Sequence, residues 1–134
     1  MVRTYTSKIN PFTGKLQLLP ADTRCFPFVL ELPTSSEVFP ILPVPFDITI
    51  TRITATVYGG TSLTFNIEER AAASLNSAGT DVMTSDIVAT QAGATSTTFT
   101  NASIASGAHL VLVASAMSGT VGKVEVRIDY TIDP

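Results

Sequence analysis

Residues 46–70, FDITITRITATVYGGTSLTFNIEER, decide the fold class. The first half is β-branched at nearly every second position, Gly59-Gly60 supplies the positive φ of a two-residue turn, and Leu63, Phe65 and Ile67 then alternate with polar residues. The pattern predicts two long strands joined as a hairpin. In the first strand Ile48 and Ile50 lie on one parity while Ile53, Ala55 and Val57 lie on the other, so the inward face switches near Arg52. One inserted residue at Thr51-Arg52, a β-bulge, returns all of these side chains to a single core. The outward residues Thr49, Thr54, Thr56, Thr64 and Asn66 are small and uncharged, which marks that face as a candidate partner surface.

Upstream, residues 25–32 (CFPFVLEL) form a strand candidate whose Pro27 cannot donate to a ladder, placing it at an edge or a strand start. Pro33, Pro40, Pro43 and Pro45, set among Val38, Phe39, Ile41, Leu42, Val44 and Phe46, describe a stiff, extended, apolar connection. Such a segment suits the crossing from one sheet of a sandwich to the other and is unsuited to a central strand. Residues 1–20 read as an arm, because the turn cluster Asn10-Pro11-Phe12-Thr13-Gly14 is followed by the alternating Lys15-Leu16-Gln17-Leu18. The arm is either an ordinary edge hairpin or a device for docking on a neighbouring subunit, with Tyr5, Asn10 and Phe12 as its contact candidates.

Downstream of Arg70 the periodicity collapses, and residues 71–80 read as a long surface loop. Residues 81–90 form a modest strand region, and residues 95–101 another, with Thr97, Phe99 and Asn101 on one face. Residues 109–116 make a strand and Ser118-Gly119 turns the chain back as a closing hairpin. Val124, Val126, Ile128, Tyr130 and Ile132 then alternate with polar residues, giving one buried and one solvated face. Roughly seven to nine short strands without a credible helix predict an all-β, antiparallel β-sandwich of jelly-roll type. The sandwich domain is expected to occupy residues 21–134.

Composition narrows the function. Charged residues are 14% of the 134-residue chain, against about 25% for an ordinary soluble domain. A surface so poor in charge fits a subunit of an assembly, or a Ser/Thr-rich soluble β domain. Eight basic residues face eleven acidic ones with no Lys/Arg cluster, which removes the electrostatic footprint of a nucleic-acid binder. Charge-free runs are too short to span a bilayer, and the N-terminal MVRTYTSKINPF lacks the apolar core of a signal peptide, so synthesis and assembly in the cytoplasm are expected. The single Cys25 agrees with that compartment.

No catalytic or cofactor constellation emerges. With His109 the only histidine, a histidine-based triad or a multi-histidine metal site within one chain is excluded. At a strand start, His109 reads as a surface or edge residue, and Cys25, beside Phe26, as a buried packing residue. Glu68 and Glu69 point to opposite faces of a strand and cannot act together on one substrate, while Arg70 reads as part of a polar strand end. Asp81 and Asp86 lie near loops but lack a calcium-loop pattern, so no metal is expected. Asp22 and Arg24 are candidates for an exposed ion pair. Tryptophan is absent and Tyr5, Tyr58 and Tyr130 are dispersed, so no aromatic sugar platform is evident.

Two segments carry a family resemblance. The run Ile104-Ala105-Ser106-Gly107-Ala108-His109-Leu110-Val111-Leu112, followed by Ser118-Gly119-Thr120 and by residues 124–130, resembles a closing hairpin of β-sandwich modules in tailed-phage virion proteins. The segment Asn10-Pro11-Phe12-Thr13-Gly14-Lys15-Leu16 resembles one found in phage fibre-type proteins, and Ile53-Thr54-Ala55-Thr56-Val57 ending at Gly59-Gly60 extends the likeness to half of the chain. The resemblance implies a non-enzymatic head-decoration or tail-fibre component in the virion. It also implies a homo-oligomer, with a trimer favoured, in contact with other virion proteins. The competing expectation is a carbohydrate-binding, receptor-recognising sandwich with a glycan as partner.

Overall fold

A computed structural model describes the backbone of residues 5–9, 16–20 and 23–134, and side chains from Arg24 onward. Its strands are β1 (Tyr5–Ile9), β2 (Leu16–Pro20), β3 (Thr23–Glu31), β4 (Val38–Pro43), β5 (Ile48–Tyr58), β6 (Ser62–Arg70), β7 (Thr80–Asp81), β8 (Ile87–Thr90), β9 (Ala94–Ser96), β10 (Ser103–Ile104), β11 (His109–Ser118) and β12 (Lys123–Ile132). One 3₁₀ turn, Ala72–Ser74, interrupts the loop after β6. The fold is all-β and antiparallel. Sheet I has the order β3-β12-β5-β10, with β9 also on β5; sheet II has the order β4-β11-β6-β7, with β8 also on β6. The β1–β2 hairpin pairs within itself, Tyr5 opposite Pro20 and Ile9 opposite Leu16, and belongs to neither sheet.

The two sheets share one sandwich-like core. Sheet I contributes Ile48, Ile50, Ile53, Ala55, Val57, Val124, Val126 and Ile128; sheet II contributes Leu63, Phe65, Ile67, Leu110 and Leu112. Phe65 is fully buried at the centre. The parity switch in β5 has the expected cause: Asp129 pairs with Arg52 and Tyr130 with Ile50, so Thr51 is bulged out of the ladder. Both Thr51 and Arg52 face solvent, and Ile48, Ile50, Ile53, Ala55 and Val57 all enter the core. In β12, Val124, Val126 and Ile128 are buried while Lys123, Glu125 and Arg127 are exposed, as its alternation predicts.

The role of Gly59-Gly60 differs from expectation. β5 and β6 are not hydrogen-bonded partners, because the glycine pair carries the chain from sheet I to sheet II. The same is true of residues 119–122, which take the chain from β11 in sheet II to β12 in sheet I. Each corner is thus flanked by strands that pair with those of the other: Tyr58 lies opposite Lys123, and Ser62 opposite Ser118. The reason is steric. Gly60 has φ +64°, and a Cβ there would come within 2.8 Å of the Thr120–Val121 backbone, while a Cβ on Gly119 would lie 3.1 Å from the Gly60 Cα. Two side-chain-free corners stack, and a two-residue hairpin in isolation is replaced by a folded-over ribbon.

The proline-rich segment also crosses between sheets. β4, with Pro40 and Pro43, is an edge strand of sheet II, bulged opposite Leu110/Val111, and residues 44–47 then lead to β5 in sheet I. Pro27 likewise lies in the edge strand β3. Phe28 of β3 stacks on Phe39 of β4 with centroids 6.0 Å apart, closing the sandwich along this side. Residues 95–101 do not form one strand: β9 ends at Ser96, and Phe99 makes an isolated bridge to Met83.

Candidate functional site

The corner at Gly59-Gly60 divides the residues expected to share one face. Thr49, Thr54 and Thr56 lie outward on sheet I; Thr64 and Asn66 lie outward on sheet II. Tyr5 is within β1, where the backbone alone is described; Asn10 and Phe12 lie outside the described residues.

On sheet II the outward side from Asn66 to Arg70 is covered by the chain's own loop, while Thr64, opposite the exposed Val88, stays half-exposed. Asn66 is 5% exposed, which overturns its assignment to an open surface. Its Oδ1 accepts the N–H groups of Ile67 (2.9 Å) and Met83 (3.1 Å), and its Nδ2 donates to Met83 O (3.1 Å) and Asp86 Oδ1 (3.0 Å). Three of these four bonds come from the segment that lies across the amide, and the fourth from the next residue of β6 itself. Ser115 Oγ in turn donates to Asp86 Oδ2 at 2.8 Å. Further along β6, Arg70 is no exposed strand end: it is 7% exposed, its Nε and one terminal nitrogen sit 2.8 Å from Glu68 Oε2, and its other terminal nitrogen donates to Leu75 O at 2.7 Å. Gly79 N–H donates to the same Glu68 oxygen. The loop at residues 71–79, polar and without periodicity, is thus held by a buried ion pair. Asp81, opposite Glu68 in the β6–β7 pairing, has its carboxyl pushed above the usual range by lost hydration, then by the negative charges of Glu68 and Asp86.

Sheet I presents the opposite situation. Pairing registers place Pro27, Arg127, Thr54 and Thr95 in one row across its outer face, and Val29, Glu125 and Thr56 in the next. No segment among the described residues pairs over this face. Val29 is 50% exposed and Tyr58 76%. Arg127 pairs with Asp129 (3.0 Å) and Lys123 with Glu31 (3.6 Å), whereas Thr54 Oγ1 is enclosed without a hydrogen-bond partner. Thr49 Oγ1 is engaged by Asp133 at 2.8 Å. Cys25 is exposed on this side, which corrects its reading as a packing residue: Phe26 and Phe28 take the inward parity, and Cys25 must face out. His109 is half-buried at the start of β11, opposite Arg70 and Pro43.

A second feature is an apolar slot where the β3 and β4 edges meet, lined by Phe26, Leu42, Phe46, Leu110, Ile128 and Tyr130 among others. Phe46, on the crossing from β4 to β5, is 54% exposed at this slot. Among the described residues no group of three or more His, Cys, Asp or Glu side chains converges as metal ligands would. No family model, curated protein or solved structure matches the chain.

Proposed function

We propose that this chain is a virion structural protein of a tailed phage, non-enzymatic, serving as a capsid-decoration or tail-fibre component that assembles with copies of itself, a trimer being favoured, and with other virion proteins. It would be assembled in the host cytoplasm and retained in the particle. One observation carries the reading. Of the six exposed large apolar side chains among the described residues, Val29, Leu32 and Val38 belong to the β3–β4 segment and Phe46 to the crossing that follows it. Apolar exposure gathered along one side, on a chain with 14% charged residues, is the character of a surface meant to be covered. The occupant proposed is a second copy of this chain.

The arm supports the same reading. A two-stranded hairpin is at best marginally stable without a surface to pack on, and β1–β2 feeds directly into β3, beside the apolar slot. The strand orders favour a jelly-roll description: β3 and β4, β12 and β11, and β5 and β6 hold matching ranks in the two sheets, as when a paired ribbon wraps round a barrel. Virion subunits are among the proteins built this way, although that link is one of fold alone.

Light scattering coupled to size-exclusion chromatography of the full chain tests the proposal. The expected result is an oligomer that Phe46→Ser and Val38→Ser together convert to a folded monomer. A wild-type chain that stays monomeric at high concentration and binds no phage particle would overturn it.

A further inference from the structure

At the Gly59 end of β5, the open face of sheet I deepens into a shallow depression of ≈ 540 Å³ lined by Thr56, Tyr58, Gly59, Gln91 and Glu125. The Tyr58 ring lies beside the Gly122 backbone, within ordinary van der Waals reach of a side chain placed there. Thr56 and Glu125 are direct cross-strand partners. Beyond Thr56 the chain turns at Gly93, whose φ of +87° favours glycine. Gln91 Nε2 donates to Gly60 O at 3.1 Å, which fixes the amide and leaves its carbonyl oxygen to accept. Among the described residues, the Thr56 and Tyr58 hydroxyls and the Glu125 carboxylate engage no partner.

The composition of this site is specific in chemistry. It offers one exposed aromatic ring, a fixed amide oxygen, a free hydroxyl and a carboxylate, with the two nearest cations already held by Glu31 and Asp129. An aromatic ring provides an apolar platform with a polar tip, and a carboxylate accepts strong charge-assisted hydrogen bonds from hydroxyls. The unneutralised Glu125 charge disfavours an anionic ligand. We propose that the depression binds a neutral saccharide, with one pyranose face on Tyr58 and ring hydroxyls donating to Glu125 and to the Gln91 carbonyl while Thr56 exchanges a further hydrogen bond. This goes beyond the assembly role: Leu32, Val38 and Phe46 do not line this depression, and only Val29, the cross-strand neighbour of Glu125, borders it.

The test is an amide-resolved NMR titration of the full chain with the methyl glycosides of glucose, galactose, mannose and N-acetylglucosamine, with N-acetylneuraminic acid as the acidic control. The expected result is saturable shifts at residues 56, 58, 91, 93 and 125 with at least one neutral glycoside and none with the acidic sugar. Tyr58→Ala and Glu125→Gln should each weaken binding by about tenfold or more, while Val88→Thr on sheet II leaves it unchanged. Well-dispersed spectra establish that each variant is folded. No saturable shift with any neutral glycoside at roughly tens of millimolar, shifts confined elsewhere, or undiminished binding by both site variants would overturn the proposal.

Discussion

The outer face of sheet II from Asn66 to Arg70 and the outer face of sheet I at Thr56, Tyr58 and Glu125 have similar alternation in sequence and opposite fates in the fold. On sheet II, Asn66, Glu68 and Arg70 occupy outward positions and are buried, because residues 71–86 return across them and bond to them. On sheet I, Thr56, Tyr58 and Glu125 occupy equivalent positions and remain uncommitted. Outward parity therefore defines a side of a sheet and does not define a surface. Polar groups that a loop has already satisfied serve the fold; those left over are what a partner or ligand can use.

The largest effect that separates the faces is expected at the buried ion pair. Arg70→Ala leaves Glu68 charged, enclosed and short of its main partner, so it should cost about 3–5 kcal/mol and release the loop, measurable by urea unfolding and by protease sensitivity at residues 71–79. Asn66→Ala strands the Met83 N–H and Asp86, with an expected loss of about 1–3 kcal/mol in the same assay. Thr54→Val on sheet I runs the other way. Its hydroxyl is enclosed and unpaired, so an isosteric apolar group should be neutral or stabilise by up to about 1 kcal/mol, read as an unchanged or raised Tm.

The smallest expected effect concerns Asp81. Its folded-state pKa is raised, so the protonated form suits the fold: its own contribution to stability is fully present below the ordinary Asp range and is lost as pH rises through the raised pKa. Asp81→Asn should therefore raise Tm slightly at neutral pH, within the ~0–1 kcal/mol typical of exposed charges, and the gain should vanish in acid. A gain that grows as pH falls would contradict the assigned cause.

Features encoded in local periodicity were legible from the residues. The alternation of β12 and the Thr51 bulge follow from side-chain parity, which a register slip would destroy. Cys25 was equally legible, since inward Phe26 and Phe28 require it to face out; the residue's usual preference for burial led away from that answer. The sheet assignment of β5 and β6 was not legible. A glycine pair with positive φ serves a hairpin and an inter-sheet corner alike, and only the opposing corner at Gly119, far downstream in the chain, distinguishes them. The covering of Asn66 and Arg70 was hidden for a related reason, as the covering loop has no apolar periodicity and is held by polar contacts. The depression at Tyr58 carried one weak signal, an outward tyrosine next to glycines, while Gln91 and Glu125 reach it only through tertiary pairing.

The difference between the faces is tested most directly by equilibrium urea unfolding of a variant that strips the sheet I site of its polar groups, Thr56→Val, Tyr58→Phe and Glu125→Gln together, measured beside Asn66→Ala on sheet II. The combined variant should stay within about 1 kcal/mol of the wild type, while the single change at Asn66 loses more. A combined variant that is destabilised more than Asn66→Ala would mean that the open face, too, is committed to the fold, and would contradict the difference between the two faces.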